Sequence, residues 1–207
     1  MEIIDQINPG DHCALIFQTR AEQFSWVCPY IASGLRRRER CLYIAYDNSV
    51  PHVLKKLAAV GVDISTAQST GALRILTKEQ SYQKHGMFEP LRMIDELAGE
   101  VERALADGFT GFRATGEMTW AGETPEALTQ VREYEAKLHH SFGPRLTGLC
   151  QYDETRFSPS LLSDMIRIHS KIIAKGRIIK NHLQRPPEEM LTGNLQPVSV
   201  NDLFGQS

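Results

Sequence analysis

His12-Cys13-Ala14-Leu15-Ile16-Phe17-Gln18-Thr19-Arg20-Ala21-Glu22-Gln23 is the stretch from which the rest of the chain can be read. His12 to Phe17 is short, apolar on both faces and closed by polar residues, the pattern of a buried parallel strand. A helix follows at once, Ala21 to Arg37, with Phe24, Val27, Ile31 and Leu35 at helical spacing. In a nucleotide-binding α/β protein the turn between them would read G-x-x-x-x-G-K-[ST], so that backbone amides cradle phosphate and the lysine reaches it. Gln18 to Gln23 contain neither glycine nor lysine. The stretch predicts an α/β sheet whose first loop is degenerate, and no tight Mg-ATP binding.

The alternation continues outward. Cys41 to Tyr46 is a second apolar run, Leu73 to Thr77 a third, Gly111 to Thr115 a fourth and Leu146 to Tyr152 a fifth. Amphipathic segments separate them. Ser49 caps one that carries Pro51 in its first turn and runs to about Val60; Glu89 to Asp107 is another, stopped by Gly108. Thr124-Pro125 open a third, to about His140, and Ser158-Pro159 a fourth, to about His169. Lys78 to Phe88, with Tyr82 and Gly86 inside it, reads as a loop. Ile172 to Ala174 and Arg177 to Ile179, split by Lys175-Gly176, read as a terminal hairpin. Strands alternating with helices specify a mostly parallel sheet covered on both faces. From Pro186 the hydrophobes thin out, so residues 1–185 are expected to form the domain and 186–207 a flexible tail or docking segment.

Composition narrows the functional classes. The chain has 207 residues, 42% hydrophobic and 23% charged, with a formal net charge of −2. Arg36-Arg37-Arg38 with Arg40 closes a helix, where cations meet exposed carbonyls, and does not make a nucleic-acid footprint. The four cysteines, Cys13, Cys28, Cys41 and Cys150, include no C-x-x-C pair, and three lie in apolar runs. They read as buried free thiols of a cytoplasmic protein. Met1-Glu2-Ile3-Ile4-Asp5 lacks a signal pattern, and no apolar run approaches the ~18 residues of a membrane span. No direct contact with nucleic acid or membrane is expected.

Ligands of open α/β sheets collect outside the carboxyl ends of the strands. Here the richest such segment is Arg113-Ala114-Thr115-Gly116-Glu117-Met118-Thr119-Trp120. Arg113 lies inside a central strand, where a guanidinium needs a carboxylate, and Glu117 and Glu135 are the candidate partners. Either the pair is structural bracing, or it is the polar floor of a pocket walled by Met118 and Trp120. Tyr134, Glu135 and Tyr152 stand where they could face the same cleft. The seven histidines form no H-E-x-x-H pair. His12 and Cys150 could still meet through the fold, but isolated His and Cys are more often packed than liganding, so no metal is expected. The ligand-binding set is therefore His12, Arg113, Glu117, Met118, Trp120, Tyr134, Glu135, Cys150 and Tyr152. No catalytic residue is assigned, and the cofactor is left unknown.

Several segments together resemble the MEDS domain, a sensory domain of methanogens and methylotrophs first noted in a dichloromethane-responsive repressor. They are Gly10-Asp11-His12-Cys13, Gly34-Leu35 leading to Arg40-Cys41-Leu42-Tyr43-Ile44, Gly61-Val62-Asp63, Gly71-Ala72-Leu73 and Tyr82 to Phe88. The most specific are Arg113 to Trp120, with Tyr134-Glu135, and Leu149-Cys150-Gln151-Tyr152-Asp153. Arg156-Phe157-Ser158-Pro159 and His169 extend the resemblance over about Ile4 to Asn181. It implies a RecA/KaiC-like three-layer sandwich with a mostly parallel central sheet, a C-terminal hairpin and a degenerate phosphate loop. It also implies a role in sensing small organic molecules. Members often join this domain to DNA-binding, kinase or phosphatase modules. No such module is legible here, so output, transcription regulation included, is expected to pass through a separate protein, with a homo-oligomer also open.

Three functions stay in view. The first is a signalling module that binds a small, partly apolar ligand at the strand ends. The second is an enzyme with Glu117 as general base and Arg113 or Tyr152 in support. The third is a ligand-free structural adaptor.

Overall fold

The computed structural model describes residues 3–84, 86–141, 143–186, 189 and 195–204, and leaves undescribed the side chains of 139–141. The readings made for His85, His139, His140 and most of 187–194 lie outside the described residues.

Seven strands form one sheet: β1 His12–Phe17, β2 Arg40–Ala45, β3 Leu73–Thr77, β4 Phe112–Glu117, β5 Leu146–Asp153, β6 Lys171–Ala174 and β7 Arg177–Lys180. Their order is β3-β2-β4-β5-β1-β6-β7. All neighbours are parallel except β6 and β7, which make the expected hairpin. The helices are α1 Arg20–Arg36, α2 Val50–Ala59, α3 Ile64–Ser69, α4 Pro90–Ala106, α5 Pro125–Ser141 and α6 Pro159–Ile168.

The strands alternate their side chains between two cores. Cys13, Leu15, Cys41, Tyr43 and Leu149 meet α1, α2 and α3, while Ala14, Ile16, Leu42, Ile44, Phe112, Cys150 and Tyr152 meet α4, α5 and α6. Every residue of β1, β2 and β5 is buried. Two-sided burial is why these strands read as continuous apolar runs rather than alternating ones. Helix starts follow the capping residues: Thr19 accepts from the Glu22 amide, Ser49 from His52 and Ser158 from Leu161.

Three expectations change. α3 was not anticipated; Asp63 caps it, taking the Thr66 amide, and a six-residue helix is too short to show a period. β4 runs to Glu117, because pairing with β5 continues to Glu117↔Gln151. The tail is corrected over its described part. Val198 donates its amide to Ser163 Oγ at 2.9 Å, Arg167 Nη2 donates to the Gln196 carbonyl, and Val200 and Leu203 are buried in the core beside α6. Burial of two apolar side chains outweighs the polar composition that suggested a free segment.

Candidate functional site

The nine residues chosen from sequence are all buried, but they fall into three groups rather than one cleft.

The first group is an ion pair. Arg113 is fully buried as expected, but its partner is neither Glu117 nor Glu135. Its Nε meets Glu39 Oε2 at 2.5 Å, and the guanidinium stacks 4.5 Å over the Tyr30 ring. Glu117 lies four residues, about 13 Å, further along the strand, and Glu135 packs on the opposite face. Glu39, a lone acid inside the basic run before β2, is the residue that sequence reasoning missed. Gly34 of α1 makes the arrangement possible: a Cβ there would stand 2.5 Å from Arg113 Cδ.

The second group is built on Glu117 at the carboxyl end of β4. Oε1 accepts from Tyr43 Oη at 2.5 Å and Asn48 Nδ2 at 2.8 Å; Oε2 accepts from the backbone amides of Tyr46, Asp47 and Asn48 at 3.0, 2.5 and 3.1 Å. A carboxylate offers about four lone-pair positions, and five donors already converge on it. Glu117 is thus a closing element of the β2–α2 turn with no lone pair left for a substrate proton, and the general-base reading loses its base. Above it Asp47 Oδ2 gathers Thr119 Oγ1 at 2.6 Å, Arg156 at 2.8 Å and Arg20 at 3.2 Å, tying four segments of the strand edge together. Burial pushes the Asp47 carboxyl up, but Thr119 and the two guanidinium groups outweigh it and hold it below the ordinary aspartate value.

The third group lies on the α4–α6 face in two adjoining parts. Met118, Trp120 and Tyr134 form an aromatic compartment with Tyr82 and Phe88; Phe88 and Trp120 have ring centroids 4.3 Å apart. Tyr82 comes from the irregular segment between β3 and α4, and its hydroxyl rests over Gly116, where any Cβ would collide with it. At its tip is a void of about 30 Å³, bordered by Met118, Tyr134 and Cys150 among others. That is little more than one water-sized space. Two larger surface grooves, about 390 and 270 Å³, contain none of the nine residues.

Beside this compartment His12, Glu135, Cys150 and Tyr152 do come together, with His169 at the end of α6 as a member the ligand-binding set omitted. Glu135 Oε2 lies 3.1 Å from His12 Nε2 and 3.5 Å from His169 Nε2, and Tyr152 donates to Oε1 at 2.7 Å. Cys150 Sγ stands 3.6 Å from both His12 Nε2 and Glu135 Oε2. Burial pushes the Glu135 carboxyl up, yet the two histidines outweigh it and hold it far below the usual glutamate range. Burial, reinforced by Glu135, pushes the Cys150 thiol well up. It also raises Cys28 to about 11 and Cys41 to about 12, so these thiols do not act as thiolate nucleophiles at neutral pH. His169 and Glu135 carried no local signal of pairing, because their spacing in the chain bears no relation to their spacing in the fold.

At the mouth of β1, where a phosphate would sit, Glu22 Oε2 accepts from the Gln18 amide at 2.9 Å and Thr19 Oγ1 from the Glu22 amide at 3.2 Å. The donors are taken and the added charge is negative. Sheet order, covered faces and this occupied turn define a mostly parallel α/β domain whose first loop is closed by its own side chains. The family profile described as "MEthanogen/methylotroph, DcmR Sensory domain" matches residues 11–170, and the chain belongs to this MEDS family. No curated protein matches it. Among solved structures, a KaiC-like protein of the hyperthermophilic archaeon Pyrococcus horikoshii OT3 has the same fold. Its TM-score is 0.53 at 12% identity, over 79% of this chain and 70% of that one.

Proposed function

We propose that this sensory domain responds to a small, partly apolar molecule that displaces the Tyr82–Phe88 plug, and that the movement is passed to a separate protein. The observation that carries this is the plug itself. A tyrosine delivered by an irregular segment fills the apolar compartment, fits only because residue 116 is glycine, and leaves a void at its tip. Irregular segments are the parts of a fold that open at least cost. The same segment and the start of α4 turn Met87 and Leu91 outward, 74% and 59% exposed, so a change inside is visible outside. Met118 and Trp120 supply an adaptable wall of the kind that accepts varied apolar shapes. The four buried free thiols suit a reducing cytoplasm, with a signalling or transcription-regulating partner receiving the output and no nucleic acid or membrane touched directly.

The test uses the full chain carrying Trp26→Phe, so that Trp120 alone emits. Titration with benzene or dichloromethane should change its emission saturably, and Tyr82→Ala, which enlarges the void, should strengthen the response. If emission is unmoved in both proteins and residues 78–89 exchange their amides as slowly as β5, the plug does not open and the reading fails.

A further inference from the structure

The cluster under Tyr152 has the composition and spacing of a metal centre. His12, Glu135, Cys150 and His169 each offer a ligand atom within 4.8 Å of those of the other three, and all four residues are buried. The measured separations are 3.1, 3.5, 3.6 and 3.6 Å. A tetrahedral zinc ion, with bonds of about 2.0–2.3 Å, holds its ligands roughly 3.3–3.8 Å apart. Three of the four separations fall in that range, and the His12–Glu135 edge, at 3.1 Å, must lengthen slightly to join them.

The hydrogen bonding points the same way. His169 Nδ1 stands 2.7 Å from the Met165 carbonyl. A carbonyl only accepts, so Nδ1 carries the hydrogen, and whenever the ring is neutral its Nε2 is bare and faces the Glu135 carboxylate. Two acceptors facing each other repel unless a cation lies between them. A proton on His169 would settle that single edge. A divalent ion settles every edge at once. Charge also balances: an ion of +2, the Glu135 carboxylate at −1 and a Cys150 thiolate at −1 sum to zero, with both imidazoles neutral. Neutrality matters here because the side chains of His12, Glu135 and His169 have no exposure to solvent and an uncompensated buried charge is costly. The supporting hydrogen bonds are those a metal site needs: Tyr152 Oη holds the second oxygen of Glu135, and the Met165 carbonyl fixes the tautomer of His169.

We propose that His12, Glu135, Cys150 and His169 bind one divalent transition-metal ion of the zinc class, four-coordinate, with Tyr152 as a positioning residue. Two imidazole nitrogens, a thiolate and a carboxylate select such an ion over magnesium or calcium, which take oxygen ligands. On loading, the Cys150 thiol releases its proton to solvent as the sulfur–metal bond forms. Because the site is closed, the ion enters as the chain folds rather than through a channel. The cluster carries this proposal by itself; it neither requires nor supports the plug, and each can fail alone.

The full chain is unfolded with chelator, freed of metal and refolded with cobalt(II) as the probe. One equivalent per chain should be retained after gel filtration, with intense tetrahedral d–d bands and a thiolate-to-cobalt charge-transfer band. Cys150→Ser should abolish the charge-transfer band. X-ray absorption of the unsubstituted cobalt protein serves as a readout that needs no variant, and should show one sulfur and three nitrogen or oxygen neighbours. A natively refolded protein that retains no cobalt overturns the proposal. So does a first shell without sulfur or with more than one, or a charge-transfer band that survives Cys150→Ser.

Discussion

Among the described residues Arg113 is the bulkiest side chain to be fully buried, and its charge is answered by Glu39 and the Tyr30 ring. Arg113→Ala leaves the buried Glu39 carboxylate unpaired, and should cost about 3–5 kcal/mol. Urea unfolding measures it. Glu39→Ala alone should cost a similar amount, and the double variant much less than the sum, because each single change strands the other charge. Gly116 argues the opposite way, through excess volume. A methyl there meets the Tyr82 hydroxyl, so Gly116→Ala should destabilise by about 1–3 kcal/mol. Adding Tyr82→Phe removes the colliding oxygen and should recover a large part of that loss; no recovery would mean that Tyr82 is not where the collision falls.

At the scale of elements, Asp47 ties the start of α1, the end of β2, the turn after β4 and the turn after β5. Its carboxyl titrates below the ordinary aspartate value of 3.8 once folded. A group whose folded pKa is depressed stabilises the native state above the unfolded pKa, and loses that contribution as pH falls through the folded one. Wild-type protein should therefore melt above Asp47→Asn at neutral pH, with the gap closing only below about pH 4. A gap that is constant from neutral to strongly acidic pH would show that Asp47 acts by shape alone. The strap at 195–204 makes a second element-level prediction. Leu203→Ala should cost about 2 kcal/mol or more, as for a buried leucine, where a free tail would cost nothing measurable.

Taken whole, the molecule has a RecA/KaiC-like fold and closes the turn after β1 with Thr19 and Glu22. Calorimetry should register no micromolar binding of Mg-ATP. Installing glycines and a lysine across Gln18–Gln23 without removing Glu22 should not create it, since the carboxylate still claims the amide of Gln18. No described helix is long and apolar enough to cross a membrane.

What the sequence determined by itself was local. Six-residue apolar runs, caps such as Ser49 and Ser158, and the missing glycines after β1 each report on a few neighbouring residues. From them the strands, the covered parallel sheet, the degenerate loop and the burial of Arg113 were legible. The short α3 and the docked strap were not, because neither carries a period and the strap is held by burial against elements far away in the chain. Partner choice belonged to the tertiary structure alone. Period-two geometry placed Arg113 and Glu117 on one face, but only the distance along β4 and the turn at Glu39 decided which acid answers the arginine. Glu117 was legible as a chemically important strand-end acid, but its partners were not, since the three amides that fill it come from a turn some 70 residues earlier. His12 and Cys150 are 138 residues apart, and Cys150 and Glu135 only 15, yet all three meet at one point. Strand order sets β1 beside β5, register sets Ala14 against Cys150, and packing brings α5 and the end of α6 down over them. Those are relations between elements, and a one-dimensional pattern holds no record of them.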